Sequence, residues 1–452
     1  MELNNKRVLV VGLGKSGVAS ALFLKERGAR VTVSDAKSGD ELRNEIPALL
    51  DHGITVETGG HGERTFREQD LIVVSPGVPV DAPLLVHARS LGEPVIGEIE
   101  LAAQYLPGPI VAITGSNGKT TTTTLTGDIL AAGGLPTLVG GNIGTPAISL
   151  AERATPDTVI VLEVSSFQLE TIKTFRPKVA VVLNVTPDHL DRHRTFEAYV
   201  DAKARMFENQ QSSDFALLNA DDPACVAMAA RTRAQVFWFS RQKEVKQGAW
   251  VRDGNILFRD GIQQREIMMV SEIPLKGAHN LENVLGAVCA GALMGCAPEK
   301  IRQAVREFKA VEHRLEFVAT IRGVDYYNDS KATNVDATIK ALESFPGNIH
   351  LILGGKDKGS DYSVLNDLLR QRVKRVYTIG AAAEKIESQI KGVEIVHAET
   401  LENALRKANA VAEAGDVVLL APACASFDQF RSYEHRGQVF KEIVDVLNHS
   451  VV

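Results

Sequence analysis

The chain has 452 residues, 44% of them apolar and 23% charged, a balance ordinary for a globular protein whose length suggests about three domains. A formal charge of -6 argues against a general nucleic-acid or membrane-surface binder and leaves room for a local basic pocket. No run of about 18 apolar residues offers a membrane span, and the N-terminal stretch lacks the apolar core of a secretory signal, so a cytoplasmic protein is expected.

Arg7 to Val11 reads as a buried strand, Gly17 to Arg27 as a helix, Arg30 to Ser34 as a second strand, and Leu71 to Ser75 as another, closed by Pro76-Gly77. Such alternation predicts a parallel sheet with helices on both faces. The breakers Leu106-Pro107-Gly108-Pro109 place a boundary just before them, near Gly97. A second unit opens with strand Ile110 to Thr114, a glycine loop and a helix of threonines and leucines from Thr120. Strands Thr158 to Leu162 and Val179 to Leu183 follow, then a helix from Phe196 to Asn209. Short strands with a turn at Asp253-Gly254 fill Val236 to Ile273, and helices cover Asn280 to Met294 and Pro298 to Phe308. A third unit begins near Val311, its strands at Val324 to Tyr327, Ile349 to Leu353, Arg375 to Ile379 and Val417 to Leu420 separated by helices. The expected fold is therefore α/β in three domains: 1–97, Rossmann-like; 98–310, a mostly parallel sheet of P-loop ATPase type; and 311–452, Rossmann-like again. The four cysteines, Cys225, Cys289, Cys296 and Cys424, form no C-x-x-C pair and read as reduced, mostly buried thiols.

The strongest local motif is Thr114-Gly115-Ser116-Asn117-Gly118-Lys119-Thr120, between a strand and a helix. Successive N–H groups and the helix N-terminus there would cradle phosphate, Lys119 would reach the β and γ phosphates, and the Thr120 hydroxyl would ligate Mg²⁺. The spacing departs from the strict P-loop pattern, since Ile113 stands where its first glycine belongs and the nearer glycine is Gly115. Glu163, at the end of the next strand and before Ser165-Ser166, is placed to meet that metal. His189 and His193 stand four apart in Asn184-Val-Thr-Pro-Asp188-His189-Leu-Asp191-Arg-His193; zinc is discounted for want of a nearby third soft ligand. Gly12, Gly14 and Gly17, followed by Asp35 at the next strand end, match a dinucleotide fingerprint, although a tight turn at a helix N-terminus suits any diphosphate, a UDP-sugar as well as NAD. Three polar loops follow three strands of the third unit: Asn328 to Asn334, Gly354-Gly355-Lys356-Asp357-Lys358, and Ala423 to Phe430. They converge on one sheet edge, where lysines suit an amino-acid carboxylate.

TGSNGKTTT, NVTPDHLDRH, GAHNLENVLGA (Gly277 to Ala287) and EHRLE (Glu312 to Glu316) resemble the Mur ligases of peptidoglycan synthesis, in order along the whole chain. VVGLGKSG (Val10 to Gly17), SPGVP (Ser75 to Pro79), NDSKATN and APACASFDQF (Ala421 to Phe430) are similar to the D-glutamate-adding branch of that family. The resemblance implies an ATP-dependent amino-acid ligase that phosphorylates the alanine carboxylate of UDP-N-acetylmuramoyl-L-alanine and lets the D-glutamate amine attack the acyl phosphate. It implies that Gly115, Ser116, Asn117, Gly118, Lys119, Thr120 and Thr121 hold ATP phosphates, with Asn280, and Asn283 beside it, at the adenine, His313 nearby, Arg314 on a phosphate and Asp329 on the ribose. Two Mg²⁺ sites would involve Thr120, Glu163, His189 and a carbamylated Lys203, with Lys119, His189, Lys203 and Arg314 acting in catalysis. Gly14, Lys15, Ser16, Asp35, Ala36, Lys37, Ser75 and Gly77 would line the UDP site, with Asn142 on the muramoyl group. Thr333, Lys358, Ser426, Phe427 and Tyr433, the last where the family pattern has Phe, would meet D-glutamate. By this resemblance ATP binds between the second and third units of a monomer that neither enters a membrane nor binds nucleic acid. An oxidoreductase, the main rival, leaves the P-loop and the third unit unexplained; a regulatory NTPase would ignore UDP-sugars; another amino-acid ligase of the same family would differ only in its substrates.

Overall fold

The computed structural model describes residues 2–67, 69–142, 144–275, 277–309 and 312–449. Its strands form three sheets. The first holds β1 (Arg7–Val11), β2 (Arg30–Ser34), β3 (Thr55–Glu57), β4 (Leu71–Val74) and β5 (Val95–Gly97) in the order β3-β2-β1-β4-β5, every pair parallel. The second holds β6 (Ile110–Thr114), β7 (Thr137–Gly141), β8 (Val159–Glu163), β9 (Val179–Val182), β10 (Phe215–Asn219), β11 (Gln235–Ser240), β12 (Gly248–Arg252), β13 (Asn255–Arg259) and β14 (Gln264–Met269). Its order is β14-β13-β12-β11-β10-β9-β6-β8-β7, antiparallel only at β12–β13 and β13–β14. The third runs β15-β16-β20-β17-β18-β19, with β15 (Glu316–Ile321), β16 (Val324–Asn328), β17 (Ile349–Gly354), β18 (Val373–Ile379), β19 (Glu394–Glu399) and β20 (Val417–Leu420). There only the β15–β16 pair is antiparallel.

The central strands are continuous apolar runs buried along their length: VLVV in β1, LIVV in β4, IVAIT in β6 and VAVV in β9. That pattern suits a parallel sheet covered on both faces. Strands without such a run escape a reading of pattern. β3 and β5 have three residues each, β7 ends in two glycines, and β15 and β19 are edge strands with exposed positions. The helix expected over Phe196 to Asn209 stops at Ala204 and continues as a 3₁₀ turn over Arg205–Phe207. Asp253 and Gly254, at φ 51° and 76°, make the hairpin turn between β12 and β13.

The chain divides into two compact units. One contains Met1–Val185, Thr195–Glu272 and Glu282–Glu307, and so the first two sheets; the other contains Thr186–Arg194, Ile273–Leu281 and Phe308–Val452, and so the third. The boundary expected between residues 310 and 311 lies outside the described residues. All four cysteines are free and buried, and no described helix is long and apolar enough to cross a membrane.

Within the first unit, the helix Glu98–Ala103 after β5 carries two buried carboxyl groups. Glu100 accepts the backbone N–H groups of Lys173 (2.8 Å), Thr174 (2.8 Å) and Phe175 (2.9 Å), which ties the end of the first sheet to the loop before β9. Glu98 accepts the N–H of Ile148 at 2.8 Å, but burial outweighs that bond and pushes its carboxyl up to about 7. The folded chain therefore holds this proton more tightly than the unfolded chain, and stability falls as pH rises from about 4.5 towards about 7. Glu98→Gln, which cannot ionise, should gain stability over the unaltered chain between about pH 4 and about pH 8. Urea midpoints at both pH values check this, and an unchanged difference would refute it.

Candidate functional site

In the first unit, β6 ends at Thr114 and the helix Lys119–Ala132 begins five residues later in sequence, leaving a short loop at the C-terminal edge of the sheet. The loop turns through Gly118 at φ +84°, where a Cβ would stand 1.9 Å from Asn283 Oδ1. Its shape is fixed from the end of β9. Asn184 Oδ1 accepts the Asn117 N–H (2.9 Å), Asn184 Nδ2 donates to Asn117 O (3.1 Å), and the Ser116 N–H donates to Asn184 O (3.0 Å). Lys119 curls over this turn and donates to Gly115 O (2.9 Å) and Ser116 O (3.1 Å). A phosphate would offer that ammonium a stronger, charged acceptor than these neutral carbonyls.

Thr120 and Thr121 are buried in the first turn of the helix. The Thr120 hydroxyl donates to Glu163 Oε2 (2.8 Å), and Asn142 Nδ2 donates to Glu163 Oε1 (2.9 Å). One carboxylate at the end of β8 thus joins a residue expected at the phosphates to one expected at the muramoyl group. Lys203, 1% exposed, donates to Gly115 O (3.0 Å) and lies 4.6 Å from the Tyr199 ring centroid, while the Tyr199 hydroxyl and Ser116 Oγ are 3.2 Å apart. The helix Phe196–Ala204, capped by Thr195 on the Ala198 N–H, carries that lysine beneath the loop. Among the described residues no three His, Cys, Asp or Glu side chains converge as a metal cage. One hydroxyl and one carboxylate beside a phosphate cradle instead fit Mg²⁺, which keeps waters and takes substrate phosphate oxygens as ligands.

The first sheet presents a second glycine loop. Gly17 lies so close to it that a Cβ would stand 1.8 Å from Gly12 O. Asp35 accepts the N–H groups of Leu13 (2.6 Å) and Lys37 (2.8 Å), and Ser75 Oγ donates to Gly12 O (2.7 Å). Asp35 and Ser75 thus meet at one loop, beside the exposed Gly14, Lys15, Lys37 and Gly77 and the half-buried Ser16.

In the second unit, the three polar loops leave β16, β20 and β17, adjacent parallel strands, at one edge. Backbone bonds stitch them together: Ala423 N to Ala332 O (2.9 Å), Lys356 N to Ala425 O (2.8 Å) and Ala425 N to Lys356 O (3.1 Å). A cavity of about 530 Å³ opens there, lined by His189, Asp191, Lys356, Lys358 and the 68%-exposed Phe427. Asp188 accepts from Asn334 Nδ2 (3.0 Å) and lies 4.0 Å from Lys358 Nζ, and His189 next to it is held at φ 54°. Ser426 is buried, and Thr333 sits in the turn closed by its N–H to Lys331 O (2.8 Å). The Tyr433 ring faces Lys331 Nζ (5.3 Å) and the edge of His313 (6.4 Å between centroids).

His313 is turned inwards, its Nδ1 2.9 Å from Asn328 Nδ2. The buried Asp329 carboxyl is pushed up to about 6 by burial, opposed by the Arg314 charge and the Leu315 N–H. Burial, the Arg314 charge and the Lys340 charge hold His279 down to about 3, so it is neutral at physiological pH. Asn280, beside it, is buried. Asn283 belongs to the first unit, under Gly118, whereas Asn280 and His189 belong to the second. Sequence reasoning gave Lys356 and Asn184 no separate role although both stood in quoted motifs, and it passed over Arg436.

Gly118→Ala would meet both a left-handed backbone and the Asn283 contact, and should cost on the order of 1–3 kcal/mol of stability. It should also abolish the rise in melting temperature given by ATP and Mg²⁺, measured by differential scanning fluorimetry; a full ligand-induced rise would refute this account of the loop.

Three family descriptions match the chain in order: "Mur ligase MurD-like, N-terminal domain" over residues 6–97, "Mur ligase middle domain" over 113–291, and "Mur ligase, glutamate ligase domain" over 313–424. The chain is 70% identical over 444 residues to the UDP-N-acetylmuramoylalanine--D-glutamate ligase of Koribacter versatilis (strain Ellin345), with 98% of each chain covered. It is 61% identical over 447 residues to the protein of that name from Acidobacterium capsulatum, with 98% of this chain and 97% of that one covered. A pseudomurein peptide ligase type C from Methanothermus fervidus shares its fold, with a TM-score of 0.62 at 20% identity over 98% of this chain and 100% of that one. The chain belongs to the Mur ligase family.

Proposed function

We propose that this chain joins D-glutamate to the alanine carboxylate of UDP-N-acetylmuramoyl-L-alanine and converts ATP to ADP and phosphate. The observation that carries this is the 70% identity, over nearly the whole of both chains, to a ligase named for that reaction. The site geometry supports it, since a phosphate cradle, a diphosphate-type glycine loop and a lysine-lined cavity account for the three substrates. The division of labour follows the domains 1–97 for the UDP-substrate, 98–310 for ATP phosphates, and 311–452 for the amino acid and the nucleoside.

Gly14, Lys15, Ser16, Asp35, Lys37, Ser75 and Gly77 bind the UDP moiety, and Asn142 orients the muramoyl arm. The amides of Gly115 to Thr121 bind the ATP phosphates, and Lys119 moves from Gly115 O and Ser116 O to the transferring phosphoryl group. Arg314 adds charge to that phosphoryl group. Asn280 and His313 serve the adenine, and Asp329 accepts from the ribose once its buried carboxyl has ionised. Mg²⁺ at two sites, when bound, supplies the positive charge that lets anionic phosphate and carboxylate approach each other. Thr120 and Glu163 would hold one ion and His189 would help to hold the other. Lys203, as an ammonium, is a poor neighbour for a cation; carbamylation would turn it into an anionic oxygen ligand.

Thr333, Lys358, Ser426, Phe427 and Tyr433 hold D-glutamate so that its amine faces the acyl phosphate. The attack forms a tetrahedral centre, the C–N bond replaces the C–O bond, and phosphate leaves with the bonding electron pair and takes up the proton that the amine loses. Four free, buried cysteines and this substrate set support a reaction in the cytoplasm, carried out by a monomer.

Phosphate release against a panel of amino acids, with and without UDP-N-acetylmuramoyl-L-alanine, should be fast only with that substrate and D-glutamate together. Release with another amino acid would reassign the acceptor, and release independent of the UDP-substrate would mean a simple NTPase. Lys203→Ala should lower turnover on the order of 100-fold. Small carboxylates should restore part of that loss and bicarbonate none; undiminished turnover would exclude the carbamate.

A further inference from the structure

The helix Tyr433–His449 begins beside the second unit's loop cluster, and the fourth residue of that helix is Arg436. An arginine in the first turn of a helix is disfavoured by the helix dipole, and a buried charge is costly unless its donors are met. Arg436 is nevertheless 0% exposed. Its guanidinium donates to backbone carbonyls and one hydroxyl rather than to a carboxylate. Nε donates to Ser330 Oγ (2.9 Å), Nη2 donates to Ser330 O (2.8 Å), and Nη1 and Nη2 each donate to Cys424 O (3.2 Å). Ser330 Oγ in turn donates a hydrogen bond to Tyr433 O (2.8 Å), closing the ring of bonds at the helix start. The third loop packs on the same group, for a Cβ on Gly355 would stand 3.2 Å from Arg436 Nη1. Burial lowers the guanidinium only to about 10, so the fork stays charged at neutral pH.

One planar group therefore touches the loop of Asp329 and Thr333, the loop of Ser426 and Phe427, and the loop of Lys358. We propose that Arg436 is a positioning residue for the acceptor amino acid: it clasps the three loops in register, so that the groups on them grip one substrate. This rests on the reading of those loops as the D-glutamate site. A lysine could not substitute, because an ammonium is a compact point charge with three donors and cannot bridge separated carbonyls as a planar fork does.

Arg436→Lys keeps the charge and loses the fork. In the full-length chain it should raise the KM for D-glutamate about 10-fold or more and lower kcat, since a loop misplaced by about 1 Å can cost 100-fold. The KM for UDP-N-acetylmuramoyl-L-alanine should stay within about 2-fold, because that site uses other elements. Hydrogen exchange should accelerate in residues 329–334, 354–359 and 423–430 together. Leu405→Ala, in the buried core of the same unit, serves as the control for lost stability alone. Arg436→Lys with an unchanged D-glutamate KM and undisturbed loop protection overturns the proposal, as does an equal KM rise in Leu405→Ala. Should Arg436→Lys fail to fold, Ser330→Ala removes one acceptor and must show the same pattern more weakly; unchanged loops there also overturn it. If the unaltered chain shows no D-glutamate-dependent phosphate release, the functional reading falls, and loop exchange alone then decides whether the clasp exists.

Discussion

The turn between β6 and the helix Lys119–Ala132 must aim several backbone N–H groups at one point, and its path is open only because Gly118 takes a left-handed conformation at φ +84°. Everything else at the first unit's site is arranged around that turn. Asn184 holds it from β9 through paired amide bonds, Tyr199 and Lys203 support it from below, and Thr120 continues it into the Glu163 carboxylate. These partners come from separate stretches of sequence and share one sheet edge because β6, β8 and β9 are adjacent and parallel. A parallel sheet puts its C-terminal loops on one edge, and helix N-termini follow those loops.

The second unit solves the same problem differently. Its loops leave adjacent parallel strands and, as in the loop capped by Asn334, lead into helices, but they are also tied directly to one another. They are bound to one another by backbone bonds and by Arg436, a buried charge whose donors meet neutral acceptors. Breaking such a buried group is expensive, whereas the exposed ion pairs on the same unit, such as Arg406 with Glu402, contribute little. The result is a bonded floor under a cavity lined by the exposed Phe427 and Lys356 and the half-buried Lys358.

Buried ionisable groups in both units are tuned by their surroundings. Burial raises Glu98 and Asp329 in different units for the same reason: each carboxyl has lost more hydration than its partners return. His279 is neutralised by burial beside Arg314. None of this is visible in the residue types, because each shift depends on which groups fold around the site.

The sequence by itself determined the α/β class, the buried central strands and the glycine loop at Lys119. These depend on local pattern: an apolar run long enough to cross a sheet, or glycines spaced for one turn. It also indicated that three polar loops leave the third unit's strands on one edge, because a parallel strand can return only through a crossover. The short strands β3 and β5 were not legible, since three residues carry no period. Only the tertiary structure decided that Asn142 and Thr120 share Glu163, that Asn283 lies against Gly118, and that His313 turns inwards onto Asn328. Arg436 is the clearest case. On an amphipathic helix a charged residue reads as solvated, and only the packing of that helix against the loops turns its charge into a clasp. Such contacts join residues far apart in the chain, and nothing in a local stretch of sequence encodes which distant carbonyl a donor will meet.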